Sequence, residues 1–278
     1  MTVSELLQKG ISVLKDNEIE NHKNEAVWIF EYVFECKRDY LFFCGNDDAD
    51  ELKSAQFMEK IKQRASGMPV QYVIGLWDFY GETFEVGEGV LIPRPETELL
   101  VDFALDYLKG KNNPVVYDLC AGTGCIGLSV AKNRPDAKVY LIEKSPDAFS
   151  FLEKNRQNLG CENANLICGD VLKGFESFGL PEPDLILSNP PYIETAEIET
   201  LQPEVHYEPV MALDGGKDGY IFYEAIADKW INYCGAVAVE CGEGQSNKIK
   251  ELFSYVFADV YSVTDFNGIE RTVIGRKD

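Results

Sequence analysis

Val115-Val116-Tyr117-Asp118-Leu119-Cys120-Ala121-Gly122-Thr123-Gly124-Cys125-Ile126-Gly127 decides the fold. Three apolar residues read as a strand, an acid comes next, and two glycines let the backbone turn tightly before an apolar helical pattern begins over 126–132. The alternation then continues: a strand over 138–142 and a helix over 146–158, a strand over 164–168, a strand over 185–188, a helix over 220–233, a strand over 236–239, a helix over 249–257, and closing strands over 260–263 and 272–274. Alternating strands and helices predict an α/β fold built on a parallel sheet covered on both faces. Open sheets of this kind bind ligands outside the carboxyl ends of their strands.

Polar residues stand at four successive strand ends: Asp118, Glu143, Asp170 and Asn189. A carboxylate at Glu143 can accept both hydroxyls of a ribose, and Asp170 is placed to meet an adenine amine. The pattern Gly122-Thr123-Gly124-Cys125-Ile126-Gly127 matches the dinucleotide fingerprint. Downstream of it, however, the chain offers no acid or base suited to hydride transfer. It offers instead Leu185-Ile186-Leu187-Ser188-Asn189-Pro190-Pro191-Tyr192, an aliphatic strand stopped by two prolines. The side-chain oxygen of Asn189 and the backbone carbonyl of Pro190 are two acceptors able to grip both hydrogens of a planar –NH2 group. Tyr192 can lay its ring on that group. Such a corner points to methyl transfer onto an amide or exocyclic amine, with S-adenosylmethionine as the nucleoside.

Upstream the texture differs. Residues 1–66 carry apolar positions at helical spacing (Leu7, Ile11, Leu14; Ala26, Ile29, Phe30, Val33; Met58, Ile61, Ala65), with Ser4 and Asp48 or Asp50 as expected N-caps. Residues 67–92 read as a hairpin, with strands over 71–75 and 77–86. From 93 to 278 runs the α/β domain, which Pro93-Arg94-Pro95 introduces by holding Arg94 in extended backbone.

Composition bounds the function. Asp and Glu number 47 against 26 Lys and Arg, a net charge of −21, and the densest basic stretch is only Lys60, Lys62 and Arg64. Such a surface disfavours a nucleic-acid partner. The eight cysteines form no C-x-x-C and the two histidines stand apart, so no metal is expected, and most of the cysteines read as small core residues. With no apolar run long enough for a bilayer and no secretion signal at the start, no membrane association and a cytoplasmic location are expected.

Taken together, Pro69-Val70-Gln71-Tyr72-Val73-Ile74-Gly75, Val90-Leu91-Ile92-Pro93-Arg94-Pro95-Glu96-Thr97-Glu98, Asp118 to Gly124, Asn189 to Tyr192, Glu208-Pro209, Ala212-Leu213 and Gly215-Gly216-Lys217-Asp218-Gly219 resemble the protein-(glutamine) methyltransferases that act on peptide chain release factors. The Asn-Pro-Pro-Tyr corner is shared with amino-methyltransferases of DNA. The Ile-Pro-Arg-Pro-Glu-Thr-Glu stretch is more particular to the release-factor family. The resemblance implies a class I Rossmann-like fold with a seven-stranded, mostly parallel sheet and a small helical domain joined by the hairpin. It implies that Asp118, Cys120, Ala121, Gly122, Thr123 and Gly124 wrap S-adenosylmethionine, that Glu143 holds its ribose, and that Asp170 and Val171 lie near adenine. Asn189, Pro190, Pro191 and Tyr192 would hold the glutamine amide, Asn189 would also touch the cofactor, and Arg94 would lie near the entrance. Cys120 departs from the family's loop, where a glycine is usual. The alternatives are an adenine-amine methyltransferase of DNA and a protein that senses S-adenosylmethionine without turnover. The helical domain and the hairpin are expected to recognise the protein substrate.

Overall fold

The computed structural model describes residues 1–277, which divide into two compact units: 1–76 with 202–207, and 77–201 with 208–277. The first is helical: α1 (Val3–Asp16), α2 (His22–Phe34), α3 (Arg38–Phe43), α4 (Glu51–Ala65) and α5 (Val70–Ile74). Leu6, Leu14, Phe30, Phe57 and Ile61 form its core. Thr2, not Ser4, caps α1: its hydroxyl accepts from the Glu5 N–H while the Glu5 side chain accepts from the Thr2 N–H, a reciprocal capping box. Asp50 caps α4. The stretch expected as a first hairpin strand is α5, which Gly75 ends in left-handed backbone (φ 85°). Val70 and Val73 pack in the helical core, so this unit extends past residue 66.

The basic stretch is dismantled here. Arg64 is buried in ion pairs with Glu25 and Glu204, and it also donates to the Met68 carbonyl. Lys60 turns onto the Val73 carbonyl, which leaves only Lys62 outward, facing Glu59.

The second unit begins at Trp77, within the hairpin of β1 (Leu76–Phe79) and β2 (Glu82–Glu85), whose Phe79 and Phe84 enter the α/β core. After it come α6 (Glu98–Tyr107), β3 (Val115–Leu119), α7 (Cys125–Asn133), β4 (Lys138–Glu143), α8 (Pro146–Leu159), β5 (Ala164–Cys168), β6 (Leu185–Ser188), α9 (Ile221–Lys229), β7 (Ala236–Glu240), α10 (Ser246–Ser254), β8 (Asp259–Thr264) and β9 (Glu270–Arg276). The seven-stranded sheet has the order β5-β4-β3-β6-β7-β9-β8, parallel from β5 to β7, with β9 antiparallel to both its neighbours. Alternate side chains serve opposite faces. Leu185, Leu187, Ala236 and Ala238 pack with α6, α7 and α8, while Ile186, Val237 and Val239 pack with Tyr223, Ile226, Trp230 and Phe253. Burial on both faces explains the unbroken apolar strands. Cys125, Cys161, Cys234 and Cys241 are buried as expected of core residues, but Cys168, ending the edge strand β5, is exposed. No helix among the described residues is long and apolar enough to cross a membrane.

Candidate active site

One cavity opens over the carboxyl ends of β3, β4 and β6. Cys120, Ala121, Gly122, Thr123, Glu143 and Asn189 are among its lining residues. Arg94, Asp170, Val171 and Pro191 also face it. Of the other residues singled out from sequence, Asp118, Gly124, Pro190 and Tyr192 are not among its lining.

The loop after β3 is shaped by backbone that only some residues adopt easily. Gly122 and Gly124 have φ of 55° and 81°, and Cys120 occupies the same left-handed region at 61°. That conformation costs a non-glycine residue roughly 1–2 kcal/mol. Beside it the Ser188 hydroxyl donates to the Leu119 carbonyl at 2.7 Å, which fixes the end of β3. Gly127 completes the fingerprint for a packing reason: a Cβ there would lie 2.7 Å from Leu141 Cδ2 and 2.9 Å from Asp118 Oδ2. A third anchor is the buried Asn155 of α8, which donates to the Thr123 carbonyl (3.0 Å) and accepts from the Glu85 N–H (2.7 Å).

Asp118 supports this loop from beneath. In β3 its side chain lies on the α7 side, opposite Tyr117 and Leu119, and its Oδ2 accepts from the Gly127 N–H at 2.8 Å. Its Oδ1 is buried with no partner among the described residues. Burial raises the Asp118 pKa from 3.8 to about 7, with Glu143 adding to the rise. The folded chain therefore holds a proton that the unfolded chain releases, so this group's contribution to stability falls as pH rises from about 4 to about 7. Urea unfolding across that range should show the decline, and Asp118→Asn should make it shallower, with the share of Glu240, raised over the same range, remaining. An unchanged slope in the variant would contradict the assignment.

Glu143 faces the cavity with both oxygens partly engaged: Oε2 accepts from the Gly122 N–H (2.8 Å) and Oε1 from the Ser145 N–H (2.6 Å). Each oxygen keeps a further lone pair for a ligand hydroxyl. Asp170 pairs with Lys144 (2.9 Å) and caps the Leu172 N–H, and these bonds hold its pKa low against the effect of burial. Ile142, Ala148, Val171 and Val90 give the same region apolar walls. A diol-accepting carboxylate beside apolar walls at a parallel sheet's carboxyl edge fits the adenosine of S-adenosylmethionine.

The corner after β6 is bedded on residues 213–219. Ile193 N–H donates to the Leu213 carbonyl (2.9 Å), Gly215 N–H to the Ile193 carbonyl (2.8 Å), and Gln245 Nε2 to the Tyr192 carbonyl (2.9 Å). A Cβ on Gly215 would sit 2.7 Å from Tyr192 Cα, so this glycine permits the close approach. Arg94 is extended (φ −100°, ψ 144°), as its prolines dictate, and pairs with buried Glu208, whose other oxygen accepts from the Ile92 N–H at 3.0 Å.

Two residues at the corner have no functional reading from sequence. Thr97 is buried; its hydroxyl donates to Glu240 Oε2 at 2.5 Å and accepts from Asn189 Nδ2 at 3.3 Å. Glu240 ends β7 and is 3% exposed. Burial raises its pKa to about 7; Glu96 adds to the rise, while Thr97, Arg271 and the Asn189 amide oppose it. The sequence does carry a signal for Glu240, since it is an acid ending an apolar strand just as Glu143 does.

Comparison with known proteins agrees with this geometry. Residues 5–75 match the PrmC N-terminal domain and residues 96–205 the methyltransferase small domain. The chain is 36% identical to the release factor glutamine methyltransferase of Geobacter sulfurreducens over 99% of its length and 96% of the relative's. Against that of Clostridium acetobutylicum it is 35% identical over 99% and 98%. A solved methyltransferase from Pyrococcus furiosus shares the fold, with a TM-score of 0.51 and 18% identity over 82% of this chain and 99% of that one. Identity of this extent over nearly the full length of both chains shows that the chain belongs to the release factor glutamine methyltransferases.

Proposed function

We propose that the protein methylates the side-chain amide nitrogen of the glutamine in the Gly-Gly-Gln motif of class I peptide chain release factors, acting in the cytoplasm and so modulating translation termination. The observation that carries this reading is the Asn189 amide. It lines the cavity with its nitrogen engaged on Thr97, which leaves an oxygen to accept from a substrate –NH2. Bound in the cavity, S-adenosylmethionine supplies a methyl group already activated on a sulfonium. Cys120 to Thr123, Glu143, Asp170 and Val171 would hold that cofactor.

The chain's own contribution is placement and charge. An amide lone pair is delocalised, so the nitrogen must be presented in one orientation with water excluded, an alignment worth about 7–11 kcal/mol in favourable cases. As the nitrogen gains positive character, Asn189 Oδ1 and the Pro190 carbonyl stabilise it. Tyr192 packs on the amide, and Arg94, held by Glu208, lies at the entrance. The adenine-amine alternative would require a cationic path for a strand, which a net charge of −21 and the dismantled Lys60–Arg64 stretch do not favour.

The helical unit supplies area for the protein substrate. Phe42 and Phe43 of α3 are 86% and 78% exposed, apolar surface of the kind that marks interaction sites. Changing both to serine should raise the KM for a release factor while sparing cofactor affinity, and an unchanged KM would remove α3 from the recognised surface.

The test of function is methyl transfer from labelled S-adenosylmethionine to a purified release factor, with duplex DNA as a parallel acceptor. Label on the protein, lost when the Gly-Gly-Gln glutamine is changed, is the expected result. Label on DNA alone would overturn the reading.

A further inference from the structure

An asparagine amide presents nearly the same outline when turned by 180° about its last torsion, but its chemistry inverts. With oxygen toward the cavity, Asn189 accepts from a substrate –NH2. With nitrogen toward the cavity, two donors confront two donors and the grip is lost. Something must choose between these states in each molecule.

We propose that Glu240 is a positioning residue that makes this choice through Thr97; the inference rests on the role given to Asn189 above. A threonine hydroxyl has one proton to give. The Thr97 hydroxyl donates to Glu240 Oε2 at 2.5 Å, so its one proton is committed to that carboxyl oxygen. Toward Asn189, 3.3 Å away, Thr97 then has only lone pairs to offer. The asparagine must turn its nitrogen to Thr97 and its oxygen to the other side. Direction is thus passed from a buried carboxyl group outside the cavity lining to the atom that grips the substrate.

The surroundings keep this chain in register. Glu240 is buried and not among the residues lining the cavity. Its backbone carbonyl accepts from the buried Tyr223 hydroxyl at 2.9 Å, which fixes the end of β7. Thr97 belongs to the short 3-10 turn Pro95–Thr97 that comes after Arg94, so the prolines around Arg94 also set where the hydroxyl sits. A merely structural pair would need the hydrogen bond between Thr97 and Glu240. It would not need the proton to run one way.

The test compares full-length variants in single-turnover methyl transfer to a purified release factor, with S-adenosylmethionine affinity measured by calorimetry. Thr97→Val keeps the shape and removes the hydroxyl; kcat should fall about 10²-fold, the scale of losing one aimed polar group, with cofactor affinity unchanged. Thr97→Ser, which restores the hydroxyl, should stay close to wild type. Glu240→Gln, whose amide can present either edge to Thr97, should lose turnover by a smaller factor. The double variant should be no slower than Thr97→Val alone, because the residues act as one unit. Wild-type turnover in Thr97→Val, equal losses in Thr97→Ser and Thr97→Val, or losses that multiply in the double variant would each overturn the relay. Should Thr97→Val not fold, Glu240→Gln decides alone, and wild-type turnover there overturns it. A wild-type protein that methylates no release factor overturns the functional reading and the relay together; one that does, beside an equally fast Thr97→Val, overturns the relay only.

Discussion

Asn189→Ala is expected to lower turnover on a release factor roughly 10²–10³-fold, by analogy with removing one aimed group from a site of developing charge. The loss should fall on kcat more than on KM, because the oxygen matters most once the attacking nitrogen carries positive character. Cofactor affinity should hold, since the ribose and adenine contacts proposed for Glu143 and Val171 lie on β4 and after β5, away from the corner. The backbone should hold as well: the chain on either side is fixed by Ser188 on the Leu119 carbonyl and by Gln245 on the Tyr192 carbonyl, neither of which uses the Asn189 side chain. Near-normal turnover with the cofactor still bound would remove Asn189 from the reaction.

The largest expected effect on stability lies in the helical unit. Arg64→Ala strips the guanidinium from Glu25, which is 7% exposed, and leaves an uncompensated buried carboxylate. Breaking a buried pair from one side typically costs about 3–5 kcal/mol. Glu204, half exposed, regains water and contributes little of that. Chemical denaturation followed by far-ultraviolet circular dichroism should show the early loss of helix. Removing both charges together, with Arg64→Met and Glu25→Leu, should recover most of the stability, because well-packed apolar replacements avoid the desolvation of either ion. A loss under about 1 kcal/mol in Arg64→Ala would mean that water reaches Glu25 despite its burial.

Much of this architecture is legible in residue order because the strands are apolar on both sides and too short to be anything else. The strands over 164–168 and 185–188 have the expected bounds. The stretch 71–75 reads as a strand because Tyr72, Val73 and Ile74 favour extended backbone, yet Val70–Ile74 folds as a helix because packing against the helical core overrides that preference. The cap at Thr2 is legible too, since Thr2-x-x-Glu5 is a capping-box pattern, yet Ser4 stands nearer the periodic residues. At the site, strand ends point to Glu143, Asp170 and Asn189, and these do face one cavity. Asp118 obeys the same rule in sequence but not in space: strand alternation turns its side chain under α7, where it holds Gly127. Thr97 has no chemical reading of its own in the sequence, only its place in the Ile-Pro-Arg-Pro-Glu-Thr-Glu stretch that carries the resemblance. Its partner Glu240 is 143 residues away in the chain, and no local pattern announces a pairing at that separation.

The strand order has a consequence for the chain as it is made. Five parallel strands are complete when β7 leaves the ribosome, but the neighbour that covers the open side of β7 is β9, which begins some 30 residues later, after β8. At ordinary elongation rates, that edge stays bare for about 2–6 s, an apolar strand with unpaired amides facing other nascent chains. A chain stopped before residue 270 never closes it. Premature truncation near the end of this protein should therefore yield an aggregating product rather than a slightly shortened enzyme.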